Sequence, residues 1–156
     1  SSKDVEHIHQ LKEKFFLELV PRKLNLRPTV PEVLKFAKNH SIRLGFVTST
    51  SQNNIDVIKN ATKSELDFHT FDLITTNKST NEPKPDPAIY KYAVNFFELE
   101  ATEVVAIEDT PVNQKCATDA GIKCILFPGE YSEIPIDNKY QTLTYNLMTK
   151  LNEAVL

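Results

Sequence analysis

The feature that most constrains this chain is an alternation. Four short apolar runs, at 42–48 (IRLGFVT), 71–76 (FDLITT), 103–109 (EVVAIED) and 123–127 (KCILF), are separated by stretches with helical character. Runs of this kind belong to strands covered on both faces. A strand that returns parallel to its predecessor needs a crossover long enough for a helix, and the intervening segments supply one. The order predicts an α/β fold, a three-layer Rossmann-like parallel sheet with helices on both faces. With 156 residues, 40% of them hydrophobic, the chain can bury the core that such a sheet requires. Sheets of this type bind ligands beyond the carboxyl ends of their strands, so the polar residues that end the runs come first as candidates for chemistry.

Local punctuation supports the alternation. Val5, Ile8, Leu11, Phe15 and Leu19 recur at spacings of three and four, which predicts an amphipathic helix over 4–19. A proline-punctuated connector, VPRKLNLRPTVP, follows, and Pro31 opens a short helix through His40. The polar cluster STSQNN is placed to cap a helix over 53–61. Asp86 is the expected N-cap, and Pro87 the first residue, of a helix through Phe97. Thr110 and Pro111 cap and open another through Ala120, which Gly121 ends. A closing helix is expected over 144–156.

Three groups of residues fall at the ends of predicted strands. Thr48 ends the first and is followed by Ser49, Thr50 and Ser51. Lys84 sits in the loop after the second, held in Pro83-Lys84-Pro85-Asp86-Pro87. Glu108 and Asp109 end the third. Singly these are a helix cap, a solvated lysine and an acidic helix start. Together they have a chemical reading. A hydroxyl and the N–H groups of a helix start hold a phosphate oxygen, and a lysine adds positive charge to the anion. Adjacent carboxylates suit a hard ion such as Mg²⁺, which takes one or two of them plus phosphate and water. The set fits a phosphoryl group bound with magnesium.

Residues 42–48, 84–90 (KPDPAIY) and 104–121 (VVAIEDTPVNQKCATDAG) resemble motifs II, III and IV of the haloacid dehalogenase-like hydrolases, in the flavour of β-phosphoglucomutase and the CbbY-type sugar-phosphate phosphatases. The resemblance covers about residues 10 to 128. It implies that Thr48, with the Ser49 N–H, binds the phosphoryl group, that Lys84 steadies nucleophile and phosphate, and that Glu108 and Asp109 hold Mg²⁺. It implies a small phosphorylated metabolite, a sugar phosphate, as substrate for a phosphatase or phosphomutase. Residues 1–20 would be the end of a helical cap and 21–156 the core. Asn113 stands where the family usually has glycine, a change expected to be tolerated.

A larger departure is the missing motif I, Asp-x-Asp, which supplies the family's aspartyl nucleophile and its general acid and base. No Asp-x-Asp occurs in the 156 residues. In the family its strand lies between those carrying motifs II and IV, so an incomplete core with a gap there is expected. The sequence then corresponds to the C-terminal portion of a longer polypeptide, inactive by itself. The motif I segment would lie upstream, or on a separate N-terminal fragment. A non-catalytic module, either a pseudoenzyme or a half-protein completed by a partner chain, is the alternative.

Other classes find little support. A net charge of −3 gives no general attraction to nucleic acid or to an anionic membrane. No apolar run approaches the roughly 20 residues of a membrane span, and the first residues do not resemble a secretory signal. A cytoplasmic protein is expected, unless an upstream segment redirects it. Three glycines exclude a glycine-rich phosphate cradle. Cys116 and Cys124 are expected to be buried, reduced thiols, and His7, His9, His40 and His69 lack metal spacing with them. A receiver-type signalling domain carries its acidic pair first, whereas here the threonine comes first and the acids last.

Overall fold

Two pairs of parallel strands form the centre of the computed structural model, which describes residues 2–129 and 147–153. Strand β1 (Gly45–Phe46) pairs with β2 (Leu73–Ile74), with Gly45 opposite Leu73. Strand β3 (Val105–Glu108) pairs with β4 (Lys123–Leu126), with Val105 opposite Lys123. Around them lie α1 (Ser2–Lys23), α2 (Val30–Asn39), α3 (Gln52–Thr62), α4 (Ala88–Phe97), α5 (Pro111–Asp119) and a helical segment, α6, over 147–153. The remainder of the predicted closing helix and most of the loop before it lie outside the described residues.

The strands alternate between two covered faces, as a period of two demands. Val105 and Ile125 pack with Phe36 of α2, Phe127, and Leu147 and Leu151 of α6. Val104, Ala106 and Cys124 pack with Ile89 and Tyr90 of α4 and with Cys116 and Ala117 of α5. Helix α4 serves both strand pairs, because Ala93 and Phe97, further along it, pack on Leu73 of β2. The layered parallel architecture is therefore present.

The first two predicted strands are much shorter than 42–48 and 71–76. A ladder forms only where a neighbour supplies hydrogen bonds, and β1 finds one neighbour, β2. Among the described residues no strand lies between β1 and β3. A cleft of about 1090 Å³ separates them, lined by Gly45 to Ser49 on one side and Val104 to Asp109 on the other. The expected gap is there.

Several helix ends fall where their residues require. Thr110 accepts a hydrogen bond from the Asn113 amide at 3.2 Å, and Ser51 accepts one from Asn54 at 3.3 Å. Gly121 follows α5 at φ 84°, a left-handed conformation that favours glycine. Other ends shift by a residue or two from expectation. Helix α4 starts at Ala88 rather than Pro87, yet Asp86 still caps it by accepting from the Ala88 N–H at 2.8 Å. Helix α2 starts one residue before Pro31.

Helix α1 departs most. It continues through Pro21 to Lys23, since a proline in the final turns removes only one donor. The described members of the predicted apolar stripe are open to solvent, with Ile8 64%, Phe15 54% and Leu19 58% exposed. Helix α1 instead packs on α3. Among the described side chains of the helix, Glu13, Phe16 and Val20 are half-buried, and the Ser51 hydroxyl donates to Glu13 Oε1 at 3.2 Å.

Both cysteines are free thiols. Cys116 is buried as expected, but Cys124 is only half-buried, on β4, which pairs with β3 alone among the described residues. Burial pushes both thiols up, Cys124 to about 11, with Glu108 adding to the rise and Lys84 opposing it. A raised pKa in the folded state means that the stabilising effect of the neutral thiol is complete below about pH 8.5 and is lost as pH climbs toward the folded value. Iodoacetamide at pH 8 should therefore alkylate Cys124 on the order of 100-fold more slowly in native than in urea-unfolded protein, and Cys116 more slowly as well, read by mass spectrometry. Gly121→Ala should lower stability by about 1–2 kcal/mol in urea titration, because φ stays positive there. The new Cβ would also meet Ala101 Cβ at 3.2 Å.

Candidate active site

Lys84 does not stay in solvent. The loop between β2 and α4 passes through a cis Lys84–Pro85 peptide and turns the lysine side chain inward, where it is 13% exposed. Its Nζ lies 2.9 Å from Glu108 Oε1, and the Glu108 side chain is 12% exposed. The Tyr90 hydroxyl donates to the same carboxylate oxygen and accepts from Lys84 Nζ at 3.2 Å. Two charges so far from water persist because each is paired and hydrogen-bonded.

Glu108 is the last residue of β3 and Asp109 the first beyond it. Consecutive residues point to opposite sides, so Glu108 turns toward Lys84 while Asp109 is exposed at the mouth of the cleft. Asn113, in the first turn of α5, approaches Asp109 Oδ1 with its side-chain amide at 3.4 Å. The residue that departs from the expected glycine thus touches the acidic pair.

Thr48 is held from behind by Thr75, which is fully buried. The Thr75 hydroxyl donates to the Thr48 carbonyl at 2.7 Å and accepts from the Thr48 N–H at 2.8 Å. The Thr48 hydroxyl in turn accepts from the Thr50 N–H at 3.2 Å, which leaves its own O–H as a donor. Ser49 is exposed beside it.

All five expected residues, Thr48, Ser49, Lys84, Glu108 and Asp109, line the one cleft between β1 and β3, together with Tyr90 and Asn113. A smaller polar recess of about 230 Å³ adjoins Ser49 and Lys84 and includes Thr76, Asn77 and Thr80. Sequence reasoning missed Thr75 and Tyr90, and it took Asn113 only as a tolerated change with no part in the site. The available signals were a threonine inside the apolar run FDLITT and a hydroxyl-bearing aromatic in the first turn of α4.

No cluster of three or more histidine, cysteine or acidic side chains occurs among the described residues. The corner offers two carboxylates, and Glu108 Oε2 has no partner among the described residues. That donor set is all-oxygen and partly solvated, which fits Mg²⁺ with water and phosphate completing its shell. It does not fit a soft metal, which takes sulfur and imidazole ligands.

Comparison with known proteins agrees with this arrangement. The family model for haloacid dehalogenase-like hydrolases matches residues 1–127. The chain is 31% identical over 129 residues to Protein CbbY of Cereibacter sphaeroides, covering 82% of this chain and 56% of that protein. It is 30% identical over 120 residues to a phosphorylated carbohydrates phosphatase of Thermotoga maritima, covering 77% of this chain and 52% of the other. The crystal structure of CbbY from Rhodobacter sphaeroides in complex with phosphate superposes with a TM-score of 0.72 at 31% identity, over 83% of this chain and 58% of that one. A β-phosphoglucomutase from Clostridium difficile shares the fold, with a TM-score of 0.71 at 17% identity, over 99% and 70%. The chain spans a little over half the length of these curated relatives. Its strand order, its lysine–glutamate pair and the extent of the family match lead to one assignment: the chain belongs to the haloacid dehalogenase-like hydrolases.

Proposed function

We propose that the protein is a Mg²⁺-dependent phosphoryl-transfer hydrolase, a phosphatase or phosphomutase acting on a small phosphorylated metabolite of the sugar-phosphate class. The observation that carries this reading is the nearly buried Lys84–Glu108 pair in a cleft shared with Thr48, Ser49 and Asp109. The similarity to a phosphorylated carbohydrates phosphatase and to a CbbY crystallised with phosphate supports the substrate class.

The geometry supports a role for each residue. Thr48 donates its hydroxyl proton, and Ser49 its backbone N–H, to phosphoryl oxygens at the end of β1. Lys84 uses two N–H donors on Glu108 and Tyr90, and the third is left for the phosphoryl group. Glu108 and Asp109 hold Mg²⁺, which when bound neutralises phosphate charge in the transition state. Positioned charges of this kind supply most of the catalysis in phosphoryl transfer.

The nucleophile is an aspartate outside this sequence, in an Asp-x-Asp segment upstream or on a separate chain. Its strand would enter the cleft between β1 and β3, where neighbouring strands stand about 4.8 Å apart. Helix α1, with its exposed apolar residues, would be the end of a helical cap. The absence of Asp-x-Asp from the 156 residues also favours a second reading, a half-protein or pseudoenzyme that binds phosphate without turnover.

Phosphate release from a panel of sugar phosphates, with Mg²⁺ and with EDTA, separates the two. The full-length protein should turn over at least one substrate with Mg²⁺ and none with EDTA, whereas the 156 residues by themselves should turn over none. In the full-length enzyme, Lys84→Met and Asp109→Asn should each lower kcat/KM about 10²–10³-fold, the loss typical of one electrostatic stabiliser. Full activity in the presence of EDTA would sink the metal-dependent reading. An upstream sequence without Asp-x-Asp would favour the non-catalytic one.

A further inference from the structure

We propose that Tyr90 is a positioning residue that determines which ion the Glu108–Asp109 corner accepts, by occupying one of the two carboxylate oxygens of Glu108. The inference rests on the metal reading above and adds a selectivity device to it.

Tyr90 lies in the first turn of α4, where the Asp86 carboxylate caps the Ala88 N–H and the Tyr90 N–H donates to the Pro87 carbonyl. The side chain is 3% exposed, and its ring packs with Ile89, Cys116, Ala117 and Ile122. A phenylalanine would serve that packing. The hydroxyl serves something else, because it reaches Glu108 Oε1, which also receives Lys84 Nζ at 2.9 Å. Lys84 Nζ stands 4.9 Å from the centre of the Tyr90 ring, so the three groups form a closed cluster.

A carboxylate oxygen has two lone pairs, and two donors fill them. Oε1 is therefore taken, and a cation meets Glu108 through Oε2 alone. To chelate with both oxygens, Glu108 would have to give up bonds to a buried phenol and a nearly buried ammonium. That restriction costs Mg²⁺ little, since it is bound through single carboxylate oxygens in a tight octahedron and keeps several waters. Ca²⁺, with six to eight ligands at longer distances, gains more from bidentate carboxylates. Lys84 keeps its bond to Oε1 while its third N–H faces the phosphoryl group, so removal of the Tyr90 hydroxyl is what frees a lone pair on Oε1.

The test is Tyr90→Phe in the full-length protein, with Mg²⁺ alone and Ca²⁺ alone titrated calorimetrically in the absence of substrate. The ratio of the Ca²⁺ to the Mg²⁺ dissociation constant should fall about tenfold, the size expected for one hydrogen bond to a charged group. Ca²⁺ should also inhibit turnover at correspondingly lower concentration, with KM for substrate little changed. A purely structural role would lower the melting temperature without moving the ratio. A ratio within twofold of wild type overturns the inference alone. Absence of Mg²⁺ binding in the wild type, or undiminished binding in Glu108→Gln, overturns the metal reading and this inference with it.

Discussion

One ion pair organises the site end of this molecule. Lys84 and Glu108, 2.9 Å apart and both nearly buried, connect the loop before α4 to the end of β3. Breaking such a pair by removing one partner is more costly than the pair itself is stabilising, because the survivor is left charged in a poor solvent. Each residue therefore depends on the other for its place. The backbone follows the side chains: Lys84 sits in a proline-bounded loop, and α4 begins directly after it, capped by Asp86. Tyr90, one turn into that helix, closes the cluster.

Helix α4 matters for a second reason. The two strand pairs share no ladder among the described residues, so their relation rests on what packs across them. Ile89 and Tyr90 lie against the β3–β4 pair, while Ala93 and Phe97 lie against β2. Arg43, just before β1, donates to the Phe97 carbonyl at 2.8 Å and fixes the far end of the helix. On the opposite face α2 contributes Phe36 beside Ile125 and Phe127, and Arg27 donates to the Phe127 carbonyl at 2.9 Å. Helices on both faces thus hold the strands on either side of the cleft in a parallel arrangement.

Much of this was legible in the sequence, and the parts that were not have physical causes. Local signals were reliable where the partner is a few residues away: Ser51, Thr110 and Gly121 perform the capping roles their chemistry allows. Strand lengths were overestimated at 42–48 and 71–76, because apolar content indicates burial while a ladder also needs a neighbour. The stripe on α1 was visible, but not its environment. Its packed side contains Glu13 and Phe16, and periodicity alone cannot say which face meets α3. Lys84, Glu108 and Asp109 were singled out through a combination of residue types at strand ends, and the fold brings them to one cleft. Thr75 and Tyr90 were missed because each acts through one hydroxyl on a residue far away in the chain. Thr75 reaches Thr48, 27 residues back, and Tyr90 reaches Glu108, 18 residues on. No local pattern encodes such contacts.

The charges in the cleft connect the metal corner to the segment proposed to fill it. Lys84 compensates Glu108, and the formal charges of Lys84, Glu108 and Asp109 together leave the corner negative. Hydroxyls at Thr48 and Ser49 add dipoles but no charge. An arriving Asp-x-Asp segment would bring further carboxylates into the same space, and a phosphorylated substrate more negative charge still. Like charges a few ångströms apart in a partly desolvated site repel strongly, and one lysine cannot offset them all. A divalent cation can, and the Glu108 oxygen that Lys84 and Tyr90 leave untouched lies beside Asp109 in sequence, at the cleft where the strand would enter. On the reading proposed above, the nucleophile and the cation would enter as a matched pair: the strand would bring the charge that a metal offsets, at the corner on β3.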